Sequence, residues 1–456
     1  MSIVRQAPAL IVVLPLLSAF LVNVSGWLNR RYCFPFALLG VLGSFIASCI
    51  TLMQVMKTGT ISYRLGGWPP PFGIEYVVDH LNGLVLVTVS FVSLLAILFS
   101  KESLKKELPE KIPQFYTLCV LLVTGLLGMT ATGDAFNLYV LLEISALTGY
   151  ALIAMGDRKA IYASFNYVIM GTIGASFYLL GVGHLYIMTG SLNMADLMGI
   201  LPGLYSFNAI FIALVLILVG TWIKMAFFPM HAWLPNAYTY APAASGCIVA
   251  PLVTKVSVYV MIRIMLSVFS PTYVYNIGLS GIIVWMAVIA IISGSVLALA
   301  QTDFKKMLTY LIVAEVGYMV GGAWLASGIG LTGAILHIVN DALMTLCLFV
   351  FAGIVFYKKG GQQQQDLAGL YKKMPVTMAA FTVGAMSMIG VPPTAGFFSK
   401  WYLILGAIDA GRYHFMAALL ISSLVNAILF FRVIEIAYFE PKGDHHGGSH
   451  EAVSID

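Results

Sequence analysis

Apolar runs of 18 or more residues recur along the chain between residues 7 and 438, parted by short polar stretches. Each is long enough to cross about 30 Å of hydrocarbon as a helix. Thirteen spans are expected, near 7–27, 33–56, 77–100, 113–132, 135–155, 159–189, 207–236, 242–269, 277–300, 305–325, 328–357, 375–409 and 412–438. The roughly ten-residue alternation of a membrane barrel is missing, so the pattern predicts an all-α polytopic membrane protein. Its first span carries no small-residue cleavage site and reads as a retained helix, not a signal peptide. The stretch 58–76 (TGTISYRLGGWPPPFGIEY) alternates briefly and then turns through Gly-Gly and three prolines, which predicts a short hairpin or loop.

Composition sharpens this picture. Charged residues make up 9% of the chain, against about 25% in a soluble domain. The longest polar pieces are 101–112, 358–373 and the tail 440–456. The tail's three histidines (GDHHGGSHE) read as solvated, not as a metal site. Five scattered cysteines form no C-x-x-C pair, so neither a metal, a cofactor nor a disulfide framework is expected. Nothing points to nucleic acid.

The 24 basic residues are sorted unevenly. Arg5, Lys57, Arg64 and Arg412 fall on one side of the expected spans. Lys224, Lys255, Arg263, Lys400 and Arg432 fall within them, and the other 15 share the opposite side. By the positive-inside rule the N-terminus is expected outside a cell membrane and the C-terminus in the cytoplasm.

An ionisable group at mid-bilayer costs at least ~2.5–3.5 kcal/mol on insertion scales. Glu143, Lys224 and Lys255 occupy such positions in the first half; Glu315, His337, Asp341 and Lys400 do so in the second. Arg263 and Arg432 lie nearer span ends and read as interfacial. Pro229 and Pro235 interrupt the Lys224 span, as Pro392 and Pro393 interrupt the Lys400 span. Irregular backbone in a membrane is tolerated only against protein or a wet cavity. Paired breaks in two halves point to inverted repeats with the site at the breaks. The expected plan is three N-terminal helices (1–112), a first five-helix repeat (113–270), an inverted second one (271–438) and a tail (439–456). Lysine precedes the break in the first repeat and follows it in the second, as inverted topology needs for similar depths.

These residues together resemble the antiporter-like membrane subunits of complex I, membrane-bound hydrogenases and Mrp-type cation/proton antiporters. The motifs are GDAFNLYVLLEIS, FPMHAWLPNAY, TKVSVYVMIR, TDFKKMLTY, LHIVNDALM and GVPPTAGFFSKWY, and the wording of the Glu143 and Lys400 motifs is most like the D-type Mrp subunits and the hydrogenase group, less like complex I proper. The resemblance implies a Glu143–Lys224 ion pair, a relay through Lys255 and His337, and Lys400 as terminal proton carrier. It also implies partner membrane subunits, with protons carried and sodium left open. Asp341 and Thr345 replace a histidine and a lysine common in relatives, and Glu315 stands where a neutral or histidine side chain is usual. Asp341 lies four residues after His337, so both project from one helical face. The expectation is a relay in which Asp341 supports His337. The expected function is proton translocation as a subunit of an Mrp-type cation/proton antiporter. A proton-pumping subunit of a hydrogenase or NADH:quinone oxidoreductase is the near alternative, and a solute carrier acting alone and a non-conducting structural subunit are the rival readings.

Overall fold

The computed structural model describes residues 3–361 and 363–439. The tail 440–456 and its histidines lie outside the described residues. In chain order the helices are α1 (Ile3–Leu28), α2 (Cys33–Thr58), α3 (His80–Glu107), α4 (Ile112–Ala131), α5 (Ala135–Ala154) and α6 (Arg158–Thr189). Next come α7 (Met194–Ile200), α8 (Asn208–Met225), α9 (Leu234–Tyr240), α10 (Ala243–Ser267), α11 (Pro271–Asn276) and α12 (Leu279–Leu299). The last are α13 (Phe304–Trp324), α14 (Gly328–Lys359), α15 (Leu370–Lys373), α16 (Pro375–Ile389), α17 (Ala395–Asp409) and α18 (Tyr413–Tyr438). Twelve of these are long and apolar enough to cross a membrane. The remaining expected span, 375–409, is the pair α16 and α17.

Helix starts follow from capping chemistry. Asp79, Asp134, Asp157 and Asp303 each accept a backbone N–H in the first turn of α3, α5, α6 and α13. This satisfies donors that a helix leaves unpaired at its N-terminus. Between α2 and α3 the expected hairpin forms: β1 (Ile61–Arg64) pairs antiparallel with β2 (Glu75–Val78), in the register Ile61 to Val78 and Arg64 to Glu75.

Burial grades the spans from the centre of the bundle to its rim. The most apolar window of α10 is wholly buried and that of α13 is 94% buried, whereas α1, α2, α6, α12 and α18 stay at 39–44%. The helices carrying Lys255 and Glu315 are therefore the axis of the bundle, wrapped by lipid-facing neighbours.

The loops sort onto two faces. Arg30 reaches the Pro109 carbonyl, Lys106 that of Tyr357 and Lys111 that of Met155, so these basic loops share one face. On the other face Asn193 donates to Glu75 at 2.7 Å, and Ser327 donates to Asp409 at 2.6 Å.

Candidate functional site

Both broken helices form, and each places a lysine at a helix end. α8 stops at Met225 because Ala226 turns into the left-handed region (φ 58°), which costs an L-residue roughly 1–2 kcal/mol. Pro229 lies in the non-helical stretch that follows. Pro235 does not interrupt a helix, contrary to expectation: it stands in the first turn of α9, where a missing N–H is harmless. Trp233 braces the break: its indole N–H donates at 3.0 Å to the Ile223 carbonyl, which also accepts the Ala226 N–H.

In the second break α16 ends at Gly390 (φ 91°), and Pro392 and Pro393 fill the gap before α17. Lys400 Nζ donates to the freed carbonyls of Met388 (2.7 Å) and Ile389 (3.4 Å). A cation at the negative end of a helix is the favourable placement. Lys224, in the last turn of α8, occupies the same kind of position. The two lysine-bearing pieces, α8 and α17, pack on α6 and α14 respectively, the third helix of each half.

Glu143 approaches Lys224 to 3.7 Å, but loosely. The Lys224 ammonium also donates to the Tyr150 hydroxyl at 3.3 Å. Tyr150 meets Tyr167 edge-on, and Tyr167 stacks on Trp233 at 3.9 Å. An aromatic wall thus runs from the ion pair to the break. Sequence reasoning missed Tyr150, since a tyrosine in an apolar helix carries no signal of its own.

The centre holds two tighter pairs. Lys255 Nζ lies 2.9 Å from Asp341 Oδ2, and neither residue exceeds 1% exposure. The ammonium is aligned to donate to the Thr345 hydroxyl (3.3 Å) and the Ala250 carbonyl (3.3 Å), while Thr345 donates to Asp341 Oδ1 at 2.9 Å. His337 meets Glu315 at 2.5 Å through Nε2 and Ser399 at 2.9 Å through Nδ1. Ser399 adjoins Lys400 in α17. This corrects the expected partnership of Asp341 with His337. The two do share a face of α14, but one turn of separation gives them different neighbours: α10 for Asp341, α13 and α17 for His337.

Lys400 completes the line. Its ammonium lies 4.9 Å from the centre of the Tyr318 ring, and Tyr318 donates to Ser422 at 2.6 Å. No hydrogen bond or ion pair joins Lys224 to Lys255 among the described residues. Several buried polar atoms along this line have no protein partner there: Tyr238 Oη, Thr254 Oγ1, Glu315 Oε1 and Asn426 Oδ1. Buried polar groups of this kind are the ordinary ligands of internal water.

Two corrections concern charges read as solvated or interfacial. Arg263 is buried and clasps Asp79 with both terminal nitrogens, at 2.6 and 2.9 Å. Burial pushes the Asp79 carboxyl up, but the guanidinium's hydrogen bonds and charge outweigh it and hold it below its usual value. Lys305 is also buried and donates to the Ala241 carbonyl at 2.5 Å. Beside it Glu107 accepts the Ala243 N–H at 3.0 Å, at the floor of a cavity of about 630 Å³ on the basic face. Arg432 is exposed near the end of α18, as expected.

The family model described as "NADH:quinone oxidoreductase/Mrp antiporter, TM" matches residues 132–426. The NADH-quinone oxidoreductase subunit N of Desulforudis audaxviator (strain MP104C) is 46% identical over 434 residues, covering 95% of this chain and 86% of the relative. The D subunit of the Na(+)/H(+) antiporter of Alkalihalophilus pseudofirmus is 31% identical over 438 residues, covering 94% and 87%. Among solved structures, a chain of the membrane-bound sulfane sulfur reductase, an archaeal respiratory membrane complex, superposes with a TM-score of 0.90 at 33% identity, covering 96% of this chain and 89% of that one. A chain of the Mrp complex from Dietzia sp. DQ12-45-1b gives 0.88 at 25% identity, covering 97% and 81%.

Proposed function

Because the chain belongs to the NADH:quinone oxidoreductase/Mrp antiporter family of membrane subunits, we propose that it moves protons between its two broken helices as one subunit of a larger complex. The observation that carries this reading is the pair of buried couples, Lys255–Asp341 and His337–Glu315, set between the lysines at the breaks. Four ionisable side chains at such depth serve no packing purpose that apolar residues would not serve better. Each couple can hold a proton on either partner, and the orphaned polar atoms between them suit connecting waters. Glu143 sets the Lys224 end. A partner that draws Glu143 away releases the lysine's proton inward, since burial disfavours the unpaired cation. The cavity lined by Glu107, with Lys305 buried behind it, provides an inlet on the basic face, which the charge sorting assigns to the cytoplasm.

The motif wording favours an Mrp-type assembly. The higher identity to a quinone oxidoreductase subunit supports the other assembly, in which a redox partner drives the movement, and we adopt that reading. Identifying the subunits that co-purify decides between them: redox-centre proteins for the adopted reading, antiporter subunits for its rival. The proton-transfer role is tested in vesicles holding the assembled complex. Glu143→Gln and Lys224→Ala are each expected to abolish driven proton movement while the complex still assembles. Normal transport by either assembled variant would overturn the role.

A further inference from the structure

A second cavity, of about 350 Å³, lies far from the ion pairs, at the corner where α1 meets α2 and α3 meets α4 on the basic face. Arg30 and Arg31 sit in the single turn joining α1 to α2, and Lys101 and Lys105 in the last two turns of α3. All four line the cavity, and its lining contains no acidic residue. The neighbouring Glu102 is engaged by Lys105 at 2.7 Å. Among the described residues neither Arg31 nor Lys101 forms an ion pair. The other wall is apolar, built chiefly from Phe34, Leu104, Ile112 and Tyr116.

Position gives this chemistry its meaning. The cavity is bounded by the ends of four helices, so it lies at the boundary between hydrocarbon and water. Beside it Trp27 and Tyr32 are 84% and 56% exposed, as befits aromatic side chains at headgroup level. α1 and α2 are among the least covered helices of the bundle, which places the cavity on the lipid-facing rim. We propose that this cavity binds the phosphate of an anionic glycerophospholipid. Arg31 supplies a charge with no ion pair, Lys101 a second cation held 5.0 Å from the centre of the Phe34 ring, Arg30 the surrounding field, and Phe34 and Tyr116 the apolar wall for the glycerol and first methylenes. Clustered Lys and Arg beside membrane helices recognise acidic headgroups in this way. A free phosphate would satisfy the cations and leave the apolar wall wet. The lipid satisfies both.

The full-length chain, purified in its assembled complex and stripped of lipid, is offered phosphatidylglycerol or phosphatidylcholine in mixed micelles, and retained lipid is counted by native mass spectrometry. Preferential retention of phosphatidylglycerol is expected. Each lost cation weakens it about fivefold, so Arg30→Gln/Arg31→Gln/Lys101→Gln together weaken it on the order of a hundredfold. Lys57→Gln/Arg64→Gln, on the other face, should retain lipid like the parent. All five side chains are exposed, and assembly and thermal unfolding of each variant verify folding. Undiminished retention by the triple variant would overturn the site. So would displacement of the lipid by millimolar inorganic phosphate, or a photo-crosslink from position 101 to another subunit that bound lipid does not block.

Discussion

Glu143–Lys224 and Asp341–Lys255 are both carboxylate–ammonium pairs within the bundle, yet they are built in opposite ways. In the first the partners stand 3.7 Å apart and the glutamate side chain is 27% exposed at the chain's own surface. In the second they are 2.9 Å apart, with side-chain exposures of 2% and 0%. Thr345 holds the second pair from both ends, while among the described residues no side chain hydrogen-bonds both partners of the first. The contrast teaches that exposure of one partner decides what a pair can do. A carboxylate at the surface can be drawn away by a neighbour, and its lysine then answers. A sealed pair can change only by passing a proton.

The largest expected effect comes from breaking the sealed pair. Lys255→Ala or Asp341→Ala leaves an uncompensated buried charge and should cost about 3–5 kcal/mol, read as a lowered Tm of the purified protein. The double substitution Lys255→Met/Asp341→Leu should recover most of that loss, because no charge is left buried. If the double variant fell by the sum of the singles, the two residues would not be acting as a pair.

Glu143→Gln sharpens the comparison from the other side. In the same unfolding assay it should cost less than Lys255→Ala, because the glutamate is partly exposed and Lys224 keeps the Tyr150 hydroxyl. A stability loss equal to that of Lys255→Ala would erase the difference between the two pairs.

A pH-dependent effect is expected at Asp79–Arg263, a bidentate ion pair at a helix end that serves as a reference. The Asp79 carboxyl is held below its usual value in the folded state, so its stabilisation is complete above about pH 4 and is lost as pH falls through the lowered value. Asp79→Asn should flatten that part of the acid-unfolding curve while lowering the plateau at neutral pH. An unchanged acid limb would show that the pair contributes no such linkage.

The spans and both breaks were legible in the sequence, because hydrocarbon thickness fixes apolar length and proline marks interruption. Which charges face one another was not. Periodicity put His337 and Asp341 on one face of α14, but only packing reveals that this face is shared by α10, α13 and α17. Asp79, Glu107 and Lys305 were hidden for another reason. They lie at helix ends, where a charged residue in sequence looks solvated, and it is the neighbouring helices that bury them. Asp79 did carry one signal, the Asp-x-x-Asn spacing of a capped helix start, but a cap says nothing about burial.

The enclosure of α10 has a consequence for how the chain is made. When α10 leaves the ribosome, the partner of its arginine already exists, since Asp79 precedes Arg263 by 184 residues. The partners of its lysine do not, for Thr345 follows Lys255 by 90 residues, with Asp341 one turn before it. At ordinary elongation speeds that gap lasts roughly 5 to 20 s. For that interval the most secluded helix of the finished bundle is anchored through Arg263 and holds a lysine with no counter-ion. The spans made after it therefore close the bundle around a charge that is already waiting for them.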